Sequence, residues 1–313
     1  MLEPLTVLAT RWSLRFEGPG GVLDPVVLRG ALLLQYRRMV CPRSRWNDPC
    51  APCPLLAECS YGQVFAARPT SMDTLTRNAA LPRPWIFHPD PDDPAAFRLV
   101  LVGSAAALLP RIVRIFERLE PRGLRREDPP FRIRKIEHLL PGETRPLDPA
   151  APPDPLPLDL WTQPGLGPDV LLRFLTPTSI SAGGRPVDRP EPGPVIRRMR
   201  DRVSTLAAAW CGGPPHWDFK RLGELAGAVR LEADATRWVR RRRVSGRTRE
   251  SYSISGFVGE ALWRGIPQEL LPIVSTCRLL GVGKRCAFGN GAYDLHPAPT
   301  EAPRKAPDGR AGG

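Results

Sequence analysis

The chain has 313 residues, with 45 Lys and Arg against 32 Asp and Glu, a formal net charge of +13 and a pI near 10.2. That length suits two modest domains, and the charge argues against a cationic partner and for a polyanion, nucleic acid first. No stretch approaches the roughly 20 apolar residues of a membrane span. The opening Met1-Leu2-Glu3-Pro4 lacks the basic start of a signal peptide. A cytoplasmic protein without membrane contact is therefore expected, in which the seven cysteines form no structural disulfides.

Residues 5–16 alternate, with Leu8, Trp12, Leu14 and Phe16 on one parity, and predict a strand. Residues 25–40 carry Val26, Val27, Leu32, Leu33 and Tyr36 at near-helical spacing behind Asp24 as cap and Pro25 in the first turn. A cysteine-bearing insertion follows at 41–59. Phe97 to Gly103 then predicts a buried strand, 105–120 a helix with Leu108, Ile112, Ile115, Phe116 and Leu119 on one face, and Phe131 to Arg134 another strand. Nine prolines in the 29 positions 141–169 predict a linker or long surface loop.

The order then repeats: a strand at 170–177, helices at 194–210 and 217–231, a basic hairpin pairing 236–244 with 251–263, a helix at 267–280 and a last strand at 286–295. Each half approximates β-α-β-β-α-β. The predicted fold is therefore α+β, two tandem ferredoxin-like (RRM-like) domains at 1–140 and 170–296, the first bearing the insertion. The tail 297–313, of Pro, Ala, Gly and charge, is expected to be disordered.

Three segments carry chemistry. Residues 237–249 hold seven arginines in thirteen positions. Because the run sits inside a foldable segment, Arg240, Arg241, Arg242, Arg243, Arg247 and Arg249 are expected to contact nucleic-acid phosphates and make binding steeply salt-dependent. Trp238 and Tyr252 are either core aromatics or base-stacking platforms. The stretch Gly281-Val282-Gly283-Lys284-Arg285-Cys286-Ala287-Phe288-Gly289-Asn290-Gly291 is a glycine-rich loop with two cations. It lacks the hydroxyl of a P-loop, and it follows a helix and opens a strand, the reverse of a dinucleotide fingerprint. It is either a tight turn or a phosphate-facing loop presenting Lys284 and Arg285. Cys41, Cys50, Cys53 and Cys59, spaced Cys-x8-Cys-x2-Cys-x5-Cys, suit a structural zinc, with an iron–sulfur cluster as the alternative and free thiols as the plain one. Cys211, Cys277 and Cys286 are isolated and read as core residues.

In that order, Leu28-Arg29-Gly30-Ala31, Cys59 to Phe65, Phe97 to Leu109, Arg173 to Thr178 and the Gly281–Gly291 loop resemble a CRISPR-associated endoribonuclease of the RAMP superfamily, the sixth Cas family, over residues 5–295. The resemblance implies binding of CRISPR repeat RNA and metal-independent scission by the 2′-hydroxyl, giving mature guide RNA. It needs no cofactor for catalysis, and further Cas effector subunits are implied partners. Family members often use a histidine on or just after the first helix; here none precedes His88. Tyr36, Arg37 and Arg38 on that helix are the catalytic candidates there, with Arg43 and Arg45 after it; arginine holds its proton too tightly for acid–base work but can stabilise charge and orient phosphate. Of His88, His138, His216 and His296, His216 at a helix start is the expected titrating group. Two other functions stay open: a non-catalytic crRNA-binding subunit of an effector complex, and a zinc-knuckle nucleic-acid-binding regulator with no need for two split units.

Overall fold

The computed structural model describes residues 2, 4–19, 23–42, 50, 52–56, 58–62, 82–244 and 251–299. Arg43, Arg45, Arg247, Arg249 and the tail from 300 onward lie outside the described residues.

The first half runs β1 (Thr6–Phe16), α1 (Pro25–Val40), β2 (Trp85–Pro89), β3 (Ala96–Val102), α2 (Leu109–Leu119) and β4 (Phe131–Leu140), followed by β5 (Glu143–Pro146) and β6 (Leu156–Pro157). Its sheet order is β2-β3-β1-β4-β5, with β6 pairing β1. β1, β3 and β4 pair antiparallel with Trp12 opposite Phe97 and Ile136. The alternation in β1 turns Leu8, Trp12 and Leu14 onto the helical side, where they meet Leu28, Leu32 and Tyr36 of α1 and Ile112, Ile115 and Phe116 of α2. Trp12 stacks 5.5 Å from Phe97 and lies 5.2 Å from Phe116. Each such side chain contributes about 1.5–3 kcal/mol by leaving water, so this aromatic knot is what holds α1 and α2 to the sheet.

The second half runs β7 (Val170–Thr178), the small hairpin β8 (Ile180–Ala182) and β9 (Arg185–Val187), α3 (Pro192–Trp210), α4 (Phe219–Ala228) and β10 (Arg230–Val239). It continues with β11 (Arg242–Val244), β12 (Ser251–Ser253), β13 (Gly256–Arg264), α5 (Leu271–Thr276) and β14 (Tyr293–Pro297). Its sheet order β10-β13-β7-β14 matches β2-β3-β1-β4 of the first half, so both are ferredoxin-like, as expected from the repeated pattern.

Several boundaries differ from expectation, each for a physical reason. β2 escapes a periodicity reading because Trp85-Ile86-Phe87-His88 is buried without alternation. The proline-rich 141–169 does more than connect: β5 extends the sheet, β6 pairs with Thr6 and Val7, and Leu158 and Trp161 are buried. The last strand starts at Tyr293 rather than 286, because Gly289 and Gly291 take φ of +83° and +77°, incompatible with a strand. The helix at 267–280 is α-helical only over Leu271–Thr276 and continues as a 3-10 turn.

One core spans both halves. Val7, Ala9, Ile86, Val100 and Val102, on the other face of the first sheet, join Leu172, Phe174, Val195, Met199 and Trp263 of the second domain. Hydrogen bonds add to the junction: Trp210 Nε1–H donates to Pro82 O at 2.9 Å, and His88 Nε2–H donates to Leu279 O at 2.9 Å. Burial holds the His88 pKa down at about 4, helped by Arg202 and Arg98 and opposed by the carbonyl contact. The folded imidazole stays neutral while the unfolded one gains a proton below its ordinary 6.5. Stability is therefore retained above pH 6.5 and lost as pH falls toward 4, with a span on the order of 3 kcal/mol. Thermal unfolding from pH 7 to 4 should show this loss, and His88→Gln, which keeps an N–H for Leu279, should flatten that part of the profile.

Candidate nucleic-acid interface

The first helix, the arginine hairpin and the glycine loop converge on one place. Asp24 sits in the extended conformation before α1, and its Oδ1 accepts the N–H of Val26 at 2.8 Å, capping the helix. Its other oxygen, Oδ2, accepts from Arg241 Nη2 at 2.8 Å, so one carboxylate both starts α1 and holds the hairpin of the other domain. Two residues on, the Arg243 guanidinium passes Gly30, where an added Cβ would stand 3.4 Å from Nη2. It lies 5.0 Å from the centre of the Phe288 ring, over which Arg29 of α1 also sits at 3.8 Å. Phe288 thus carries two guanidinium groups, each worth about 0.5–2 kcal/mol through the ring's negative face.

The loop is wired from both sides. Val282 N–H donates to Gly291 O at 2.9 Å, Lys284 N–H to Ser179 O at 2.9 Å, and Gly291 N–H to Pro177 O at 3.2 Å. The buried Asn290 amide donates to Ile254 O at 3.1 Å, tying the loop to the hairpin base. Glycine is required where backbones meet. A Cβ at Gly289 would stand 2.1 Å from Pro25 Cβ, one at Gly283 2.4 Å from Ser179 O, and one at Gly291 2.0 Å from Val282 O. Between these contacts Lys284 and Arg285 are exposed, and Arg285 adopts φ +63°, the one positive-φ residue other than glycine among the described residues. Strain of this kind, about 1–2 kcal/mol for an L residue, aims a side chain outward.

The expected RNA-contacting residues that can be placed are therefore together. Arg240, Arg241 and Arg242 are exposed, Arg243 is half-buried, and Arg243 Nη1 is a buried donor with no acceptor among the described residues. Trp238 is 40% exposed and is not a core residue. A larger cavity of about 270 Å³ lies between the domains, lined by His88, Arg98, Trp161 and Arg278, and includes neither Lys284 nor Arg285. Arg29 and Phe288 were not legible as site residues, because their meeting depends on the domain docking.

The expected catalytic residues are scattered. Tyr36 is wholly buried and its hydroxyl accepts from Arg111 Nη1 at 2.9 Å. Arg37 is buried 5.9 Å from the Tyr61 ring and beside the cysteines, whereas Arg38 is exposed. His216 is exposed in the connection between α3 and α4, with no hydrogen bond or ion pair to α1, the loop or the hairpin among the described residues. His138 is buried on β4 with its pKa lowered by that burial, and His296 is exposed on β14. Cys277 and Cys286 are buried with burial raising their thiols, the former to about 12, so they are inert packing groups as expected, and Cys211 is half-buried with its thiol raised for the same reason. Cys41, Cys50, Cys53 and Cys59 line one small cavity, although among the described residues no three histidines, cysteines or carboxylates already stand in metal-binding geometry. Burial raises the Cys50 thiol; Arg37 opposes that, and Cys41, Cys59 and Cys53 add to it.

Two ferredoxin-like domains, with a glycine loop before the last strand seated against the first helix, define the fold on which this cationic face is built. Residues 172–293 match the family of the CRISPR-associated endoribonuclease Cas6, and residues 6–150 match a family of N-terminal domains. The family likeness is thus carried by the second half of the chain, which also holds the glycine loop. A search of curated proteins found no match. Among solved structures, a Cas6 product complex is 19% identical, covering 93% of this chain and 99% of that one at TM-score 0.57. Thermus thermophilus Cas6 is 17% identical, covering 94% and 99% at TM-score 0.52. A Cas6-RT-Cas1–Cas2 complex is 13% identical, covering 97% of this chain and 30% of that one at TM-score 0.53. At these identities the likeness establishes the fold. Among the described residues, no helix is long and apolar enough to cross a membrane.

Gly289→Ala should break the seat of the loop on Pro25. A positive φ and a contact near 2 Å together are expected to cost about 2–3 kcal/mol in urea unfolding, against near neutrality for Gly213→Ala, where an added Cβ meets nothing within 4 Å.

Proposed function

We propose that the chain is a CRISPR repeat-RNA endoribonuclease that works in the cytoplasm. It binds precursor crRNA across the hairpin and glycine loop and cuts it without a metal ion. The observation that carries this reading is the strained, exposed Arg285 beside Lys284, in a loop pinned against α1 under the arginine hairpin. Phosphates of the repeat stem would lie along Arg240, Arg241 and Arg242, extended by Arg247 and Arg249, with Arg243 Nη1 taking an anionic acceptor and Trp238 stacking a base. At the cut, the 2′-oxygen bonds to the adjacent phosphorus and its proton passes to a base. The bond from phosphorus to the 5′-oxygen then breaks, that oxygen takes a proton, and a 2′,3′-cyclic phosphate and a 5′-hydroxyl remain. Lys284 and Arg285 would stabilise the charge that gathers on the phosphorane. Arginine cannot serve as the base, so His216 or Tyr36 would have to reach the RNA by a movement on binding. Other Cas subunits would take up the product, in keeping with the Cas1–Cas2 assembly named for one structural relative.

A second reading, a guide-RNA holder that does not cut, is favoured by the placement of the histidines, none of which is hydrogen-bonded to the loop or α1 among the described residues.

Purified protein in EDTA, given labelled repeat RNA from its own locus, distinguishes the two. Defined cleavage that a 2′-deoxy nucleotide at the scission site abolishes establishes the nuclease; tight binding without cleavage establishes the holder. For the nuclease, Arg285→Gly should cut about 100-fold more slowly while stability is unchanged or rises by up to about 1 kcal/mol as the strain is relieved. Arg242→Ala should lower the slope of log affinity against log salt by roughly 0.7–0.9.

A further inference from the structure

The insertion after α1 holds four cysteines that line one small cavity. Cys41 caps α1, its N–H donating to Arg37 O at 2.8 Å, so its sulfur is fixed to the first domain. The others ride on successive turns: Cys53 N–H donates to Cys50 O at 2.9 Å, Leu56 N–H to Cys53 O at 3.0 Å, and Cys59 N–H to Leu55 O at 2.8 Å. All four line a cavity of about 20 Å³ that, among the described residues, is lined by no carboxylate or imidazole. That is room for one small body.

Apolar packing does not explain why this segment stays put. Leu55 is 43% exposed, and among the described residues of the insertion Tyr61 alone joins the first core. Two further groups are arranged as an anionic sulfur centre would require. Gly62 N–H donates to Cys59 Sγ at 3.4 Å, a backbone donor aimed at sulfur. The Arg37 guanidinium, in a residue only 4% exposed, lines the same cavity.

We propose that Cys41, Cys50, Cys53 and Cys59 bind one zinc ion as a structural tetrathiolate centre, clamping the 50–62 segment to the end of α1, with Arg37 balancing its charge. Four S–H bonds break, four Zn–S bonds form, four protons are released, and the centre carries a charge of −2. The sulfurs ring the cavity without yet converging, so the ion draws them inward to Zn–S distances of about 2.3 Å. Neither RNA binding nor cleavage is needed for this assignment.

The test is the metal content of the full chain purified from zinc-supplemented culture, with thiol count and cobalt exchange on the same sample. One zinc per chain is expected, and cobalt in its place should give the intense sulfur-to-metal charge-transfer and visible bands of a tetrahedral thiolate site. Cys50→Ser with Cys53→Ser should abolish metal retention, Cys211→Ser should keep it, and Arg37→Met should weaken cobalt affinity about tenfold. The cobalt spectrum of the unmodified chain reads the ligands even if the double variant does not fold. Zinc-free protein with four freely titrating insertion thiols would overturn the proposal, as would stoichiometric iron with acid-labile sulfide.

Discussion

The contact on which the rest of the site depends is that of Gly289 with Pro25, backbone loop against the first residue of α1. A side chain at 289 would stand 2.1 Å from Pro25 Cβ and 3.0 Å from Phe87 O, so the second domain can seat its loop on the first only through a bare backbone. From that seat follow the position of Phe288 under Arg29 and the outward turn of Arg285 at φ +63°. The reach of Arg241 to Asp24 closes the same junction from the hairpin side. Because Asp24 is already fixed as the cap of α1, the ion pair borrows an ordered carboxylate and loses little side-chain entropy.

The electrostatics of this junction are unbalanced by design of the fold. Arg29 and Arg243 share the Phe288 ring and Arg241 holds Asp24, while Lys284 and Arg285 on the loop and Arg240 and Arg242 on the hairpin are exposed. Elsewhere the same residue type is neutralised: Arg11 and Arg98 share Asp90, Arg11 also reaches Glu137, and Arg125 holds Asp128. Such paired arginines build the fold, whereas Lys284, Arg240 and Arg242 stand exposed to solvent. The contrast explains why overall charge, which counts both kinds alike, locates nothing.

The domains behave as one body because their cores are not separate. The first sheet is buried on both faces, by its own helices on one and by the second domain on the other. β1 accordingly carries buried residues on both parities along Val7, Leu8 and Ala9. The neutral His88 bonded to Leu279 O lies at this junction, so the same burial that joins the domains also makes their union sensitive to acid.

The sequence by itself determined the two β-α-β-β-α-β halves, the cap at Asp24, the basic hairpin, the cationic glycine loop and the grouping of four cysteines. Each of these is written in neighbouring residues: period-2 and period-3.6 patterns, a capping side chain before proline, charge runs, and short ligand spacings. β2 was not legible because a strand buried on both faces has no alternation to read. Nor was the anchoring of the proline-rich 141–169 stretch, whose Leu158 and Trp161 gain meaning only from the core they enter. Tertiary structure alone decided which arginines meet Phe288, that Tyr36 is sealed against Arg111, and that His216 stands apart. Those outcomes are set by packing between residues far apart in the chain, 75 positions for Tyr36 and Arg111 and more than 200 for Arg29 and Phe288, and no local pattern encodes such contacts.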